Sequence, residues 1–527
     1  MAEIGELTLM LQMPWFGHRF GVASLAMKSA TLHLSRDQSG RANWQWTEGG
    51  RPQPPMHIVR SLSVPDARVT LDDARRHLEF HGTASARSNG SLPFELEGSG
   101  ELNGHAVSFE VTGDPLAAAS HDRPYGFTFS ERSSGTLLEG HGSLPRPFDF
   151  DAIQADFDAE GSDLKDLYYL TGVSLINTGK YRLSGKIERD GPHFAFTNLS
   201  VKSGESDARG SVSVDSHLER SQLDIRLESR MSRSADIGLR AAARAPTPSG
   251  PPLLLSDASF RPEALRTSDA IIAIRAANVQ AGRMSLRNVA AQATLERGVL
   301  TVSSLTADLL GGKLEGHGRL DANENRSRIA VDIRIAGLEL AELHHKAGAP
   351  PLEGTMRAHI VASGAGSSLH EFASSANGTV TAVVPKGTIR DSLAELTGLD
   401  LRGLGLLLAK NQHETDLRCA AGVFKVTDGT LATERFVADT DPVLITGDGR
   451  IQFKTESLDL HLGGEPKSLR LFHFRSPIAI GGTLARPSIG IEAHHFEVVD
   501  TGKAKDVDCA SLITSAESVM PAAAVFR

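Results

Sequence analysis

Residues 419–492 read CAAGVFKVTDGTLATERFVADTDPVLITGDGRIQFKTESLDLHLGGEPKSLRLFHFRSPIAIGGTLARPSIGIE. Apolar side chains fall at alternate positions in Val443-x-Ile445, Ile451-x-Phe453 and Leu458-x-Leu460-x-Leu462. Small, polar or charged residues stand between them, which is the period of a β-strand with one dry face. Asp428-Gly429 and Gly447-Asp448-Gly449 separate the runs. These residues tolerate the positive backbone angles of tight hairpin turns, so both sites are expected to be turns. No nucleophile, metal cluster or phosphate loop interrupts the pattern, which points to a function carried by the shape of a sheet.

Composition narrows the choice of class. The chain has 527 residues, 40% hydrophobic but only 5% aromatic, with 51 Gly and 24 Pro. Such a sequence buries a dry surface with small and aliphatic side chains. Lys and Arg number 55 against 64 Asp and Glu, a net charge of -9 spread along the chain, which is no footprint for nucleic acid. The longest run without an Asp, Glu, Lys or Arg, Phe372 to Pro385, falls short of the ~20 apolar residues of a spanning helix. The opening MAEIGELTLMLQMPWF lacks the basic start and apolar core of a secretory signal. Cys419 and Cys509 are the two cysteines. They have no metal-ligand spacing, and one disulfide or two thiols both fit the sequence.

Along the chain, the pattern predicts an N-terminal β region over residues 1–245 with a short helix at 163–172. A Pro-rich loop or linker follows at 246–252, then a second β region over 253–500, and a tail over 501–527. Short alternating runs such as Phe94-x-Leu96 and Phe127-x-Phe129, punctuated by glycines, read as consecutive hairpins. Strand-plus-turn units of about 14 residues give roughly 35 to 40 strands. Helical spacing recurs at Leu338 to Lys346 and at 391–410, where an apolar stripe of leucines fits either cover for an open sheet end or a membrane surface. Trp44 and Trp46 share one strand face, a spacing that fits stacking on a base or a sugar or, as expected here, bulky side chains closing one end of a core.

Three stretches share one grammar. Leu199 to Leu227, Leu305 to Ile335 and Val443 to Leu462 each run alternating apolar residue, glycine, alternating apolar residue. Their spacing is irregular, which argues against a strict solenoid and for a meander with turns of variable length. ADLLGGKLEGHGRLDANENRSRIAVDIRIAGLELAEL, DGTLATERFVADTDPVLITGDGRIQFKTESLDLHL and PIAIGGTLARPSI together resemble bacterial AsmA-like proteins. LYYLTGVSLINTGKYRLSGKI and the early PWFGHRFGVASLAMKSATLHL extend the resemblance over nearly the whole chain.

The resemblance implies a mainly β fold: an elongated, strongly twisted antiparallel sheet curled into a groove, with a few short helices. It further implies a Gram-negative cell-envelope protein in the periplasm, usually held in the inner membrane by one N-terminal helix, which the sequence as given does not contain. Such proteins resemble bridge-type lipid carriers, so the expected partners are phospholipids, the inner membrane, and the outer membrane or its proteins. Ile329, Val331, Ile333 and Ile335, with Leu458, Leu460 and Leu462, are expected on the dry face, either as a groove for acyl chains or as ordinary sandwich core. The alternative role is a non-enzymatic periplasmic scaffold that contacts outer-membrane proteins through its sheet edges.

Catalytic chemistry finds little support in the pattern. His344-His345 and His494-His495 are adjacent pairs, and neither strand nor helix geometry lets adjacent side chains chelate one ion. Asp428 and Asp448 stand beside glycines, where turns explain them. There is no G-x-S-x-G, P-loop or H-E-x-x-H. No enzyme activity, metal or cofactor is expected.

Overall fold

A computed structural model of the protein describes residues 2–12, 21–39, 41–43, 61–74, 77–86, 92–115, 123–133, 135–145, 151–167, 175–216, 220–237, 254–257, 259–260, 262–282, 284–324, 326–343, 352–390, 414–467, 478–491 and 504–519. The expected helix at 391–410, the Pro-rich stretch 246–252, Trp44, Trp46 and both adjacent histidine pairs lie outside them. The described residues are mainly β, with 27 strands in one mixed sheet. They include two α-helices, α1 (Leu369–Ser374) and α2 (Cys509–Glu517). The described strands reach the 16 residues of Gly21–Arg36.

The chain divides into two compact units, Met1–Leu227 and Glu228–Arg527, a boundary that falls within strand Ser221–Arg233. In the first unit most neighbours are antiparallel hairpins, but strand Gly21–Arg36 pairs parallel to Ser61–Asp73. This corrects the purely antiparallel expectation. Parallel neighbours need a long connection, and 24 residues separate these two strands in the sequence. One face of this unit sets phenylalanines over glycines. Phe129 stands directly opposite Gly140, and Gly140 opposite Phe157. A Cβ added at Gly140 would lie 2.8 Å from the Phe129 ring, so the ring occupies the space a side chain would need.

In the second unit the strands follow one another as an antiparallel meander from Ser268–Ala281 onward, except that Asn377–Val384 and Gly387–Arg390 both pair with Leu352–Ala365 on one side and Glu414–Thr427 on the other. The turn at Asp428-Gly429 forms as expected, with φ of 47° and 73°, between strands Glu414–Thr427 and Thr430–Thr440. Gly447-Asp448-Gly449 is not a turn; it lies inside the continuous strand Val443–Gln452. Gly447 and Gly449 stand opposite Leu462 and Leu460, and an added Cβ at Gly447 would come within 2.6 Å of the Leu462 side chain. The glycines make room for leucines on the neighbouring strand. Of the two expected helices at 163–172 and Leu338–Lys346, the described residues hold 3-10 turns at Leu164–Leu167 and Leu340–Leu343, and 168–172 and 344–346 lie outside them. The second of these turns follows strand Arg328–Glu339, which takes up residues expected to be helical.

Residues 254–257 are strapped down beside the Glu456 turn. The Glu456 carboxylate, fully buried, accepts hydrogen bonds from the Leu254 and Leu255 amides at 2.5 and 2.6 Å. His370 of α1 places Nδ1 2.8 Å from Asp257 and Nε2 3.2 Å from the Lys454 carbonyl. Both neighbours are acceptors, and only the imidazolium donates from both nitrogens. Burial opposes that charge, yet the Asp257 and Lys454 hydrogen bonds outweigh it and hold the His370 pKa above its ordinary 6.5.

Candidate functional site

The register assembles one face of the second unit residue by residue. In an antiparallel pair, directly opposed residues point to the same side. Ile272 opposes Ala293, Ala293 opposes Val302, Val302 opposes Gly318, and Gly318 opposes Val331. The row continues through Ala362, Gly378, Val426, Leu431 and Ile451 to Leu458. Every member is aliphatic or glycine. The two groups singled out from sequence, Ile329 to Ile335 and Leu458 to Leu462, therefore lie on the same face of one sheet although more than 100 residues separate them in the chain. Leu460 and Leu462 extend the face to Ile480 and Ile478 of strand Ile478–Thr483.

Depth on this face varies along the strands. At one end Leu309, Leu338, Val384, Leu417, Ala438, Val443 and Ile445 form a buried cluster, with Val443 fully inaccessible. Ile335 and Leu462 pack against this cluster, and towards the other end the face opens: Ile329, Val331, Ile333, Leu458 and Leu460 are, like those two, half-buried. A closed sandwich would drive such side chains to near-complete burial. A run of aliphatic groups left partly accessible over neighbouring strands is a surface with unfilled apolar contacts. Bulges between Ile335 and Leu338, Val302 and Leu305, and Ala432 and Val437 bend these strands and sharpen their twist.

The opposite face is polar, with a local apolar patch closed by α2. Leu512 and Ala516 of the helix pack on Val383, Cys419, Ala421 and Val423. Asp508 caps α2 by accepting from the Ala510 and Ser511 amides, and Arg357 pairs with Glu517 at 2.6 Å. Cys419 and Cys509 are joined in a disulfide, with Cα atoms 5.8 Å apart across a sequence separation of 90. Beside it Asp439, completely buried, meets Arg418 at 3.2 Å and also Lys467, and accepts from the Val507 amide. Asp506 completes the network at 2.6 Å from Arg418 and 2.7 Å from Lys467. Cys419, Asp439 and Cys509 form a cluster of metal-ligating types among the described residues, but the sulfurs are bonded to each other and are not available as thiolates.

A family model for the AsmA family matches residues 163–436, more than half of the chain. The chain belongs to the AsmA family. It is also 24% identical over 546 residues to the Escherichia coli (strain K12) AsmA family protein YhjG, an alignment that takes in 94% of this chain and 78% of that protein. Family membership points to a cell-envelope protein. No described helix of this AsmA protein is long and apolar enough to cross a membrane. The matched segment includes Ile329, Val331, Ile333 and Ile335, while the overlap with YhjG spans nearly all of the apolar face described above.

Sequence reading did not find α2 or the Asp439 network. For the helix a signal was present: Asp508 before the first turn, then Leu512 and Ala516 spaced by four. For the network there was none, because Arg418, Asp439, Lys467 and Asp506 come together only through the fold.

Proposed function

We propose that this protein carries phospholipids between the inner and outer membranes of the cell envelope, with acyl chains lying against the apolar face of its sheet, and so contributes to outer-membrane assembly. The observation that supports this reading is the unbroken cross-strand row from Ile272 to Leu458, flanked by the half-buried Ile333, Ile335, Leu460 and Leu462. Contact of this kind is set by area. Each methylene taken out of water contributes about 0.8 kcal/mol, so an acyl chain is held without a directed hydrogen bond. Sites along the row are chemically alike, and a chain moves from one to the next without breaking a specific contact. The polar headgroup stays in water at the lip of the face.

The reading places no catalytic group and requires no cofactor. Its test is purification of the full chain without detergent, extraction, and mass spectrometry of co-purifying lipid. Phospholipid in stable proportion to protein is the expected result. Lipid-free protein from repeated preparations, with the half-buried leucines inaccessible to apolar probes, would sink it.

A further inference from the structure

A second feature lies in the unit Met1–Leu227. A cleft of about 1060 Å³ opens at one end of strands Thr136–Leu144, Ala152–Gly161 and Tyr181–Asp190, large enough for a small polar ligand. Its charged lining is Arg132, Lys180, Arg182 and Lys202 against the single carboxylate Glu160. The chain as a whole carries -9, so this concentration of positive charge runs against the average. The register explains how it arises. Glu160 stands directly opposite Arg182, and Arg182 directly opposite Lys202.

Arg182 is the cation that Glu160 holds, at 3.4 Å. Arg132, Lys180 and Lys202 form no ion pair with any described residue. Like charges directly across a strand pair are unfavourable, and the Arg182–Lys202 juxtaposition is such a pair, flanked by Glu160 across from Arg182 and by Asp207 across from Lys202. A site whose lining carries four cations against one carboxylate has a net positive potential that concentrates anions. Arginine and lysine together suit an oxyanion with several acceptor oxygens, the guanidinium as a planar fork and the ammonium as a point charge.

We propose that this cleft binds a phosphate group. Its sources are a phospholipid headgroup or a soluble phosphate ester; the first rests on the carrier reading above, and the second does not. The test compares the full chain with a triple variant, Arg132→Gln, Lys180→Gln and Lys202→Gln. All three side chains are exposed, and an unchanged melting curve verifies the fold. Calorimetry with inorganic phosphate and with glycerol 3-phosphate reads the site directly. Flotation with phosphatidylglycerol vesicles, against phosphatidylcholine vesicles, reads the lipid source.

The expected result is phosphate binding that weakens about ten-fold in the triple variant, as three exposed charge contacts of ordinary strength imply. A parallel loss on phosphatidylglycerol vesicles assigns the site to a headgroup. Vesicle binding that is absent, or equal in both proteins, assigns it to a soluble ester. Failure of the wild-type chain to bind phosphate, or equal phosphate binding by both proteins, overturns the proposal. The two readings fail separately: lipid-free protein that still binds phosphate leaves the cleft standing without the carrier, and lipid-loaded protein that ignores phosphate does the reverse.

Discussion

Ile445 and Ile333 share one face of one sheet at different depths, and that difference makes a quantitative test. Ile445 is 5% exposed within the buried cluster, whereas Ile333 is half-buried opposite Gly316 and Ile360. Replacement by alanine removes three carbons. At about 0.8 kcal/mol each, with a cavity contribution added, Ile445→Ala costs about 3 kcal/mol. For Ile333, part of that surface already meets water in the lipid-free protein, so Ile333→Ala costs about 1 kcal/mol. An aspartate at 333 separates the effects further. Without lipid its carboxylate reaches water; with lipid it must be desolvated among acyl chains, which costs several kcal/mol. The assay is urea denaturation of delipidated protein, paired with phospholipid per protein by mass spectrometry. Ile333→Asp is expected to lose most of its bound phospholipid while its delipidated form keeps a denaturation midpoint close to that of Ile333→Ala. If Ile333→Ala destabilises the delipidated protein as much as Ile445→Ala, the half-buried row is packed core and the reasoning fails.

Three further outcomes follow from the outer face and the strap. Replacing Cys509 by serine opens a link across 90 residues of chain, worth about 4 to 5 kcal/mol in the chain-entropy account; hydrogen exchange over 508–517 should accelerate while strands Val443–Gln452 and Ser457–Pro466 stay protected. Asp439→Asn leaves two cations facing one exposed carboxylate and should destabilise the second unit by about 3 kcal/mol, with Asp506→Asn, whose side chain is 65% exposed, shifting the denaturation midpoint far less. Because the folded pKa of His370 is raised, its contribution is fully present below the unfolded value near 6.5 and is lost as pH rises through the higher folded value. Protection at residues 254–257, measured as exchange relative to the intrinsic base-catalysed rate at each pH, should therefore fall on passing from pH 6 to pH 8.5, and Asp257→Asn should flatten that dependence.

How much of this was legible in the sequence depends on the range of the interaction. Strand faces follow from alternation alone, so Ile329 to Ile335 and Leu458 to Leu462 could be placed on dry faces from residue order. Their membership of one face depends on the register of every intervening strand, which no local pattern encodes. Gly447 and Gly449 misled for a physical reason: glycine signals a turn, but it also accommodates a large side chain across the strand, here Leu462 and Leu460. The parallel pairing of Gly21–Arg36 with Ser61–Asp73 is invisible to periodicity, since parallel and antiparallel strands share the period of two. In the tail the cap and the four-residue spacing of α2 were readable, while its docking site on Ala421 and Val423 lies some 90 residues away.

The central claim is that acyl chains lie on the face that carries Ile333 and Leu460. Photo-crosslinking residues placed one at a time at Ile333, Leu460, Arg334 and Asp459 test it in the envelope of living cells, with adducts identified by mass spectrometry. Phospholipid adducts at positions 333 and 460, and none at the outward positions 334 and 459, are the predicted result. Adducts at all four positions alike, or at none, would contradict it.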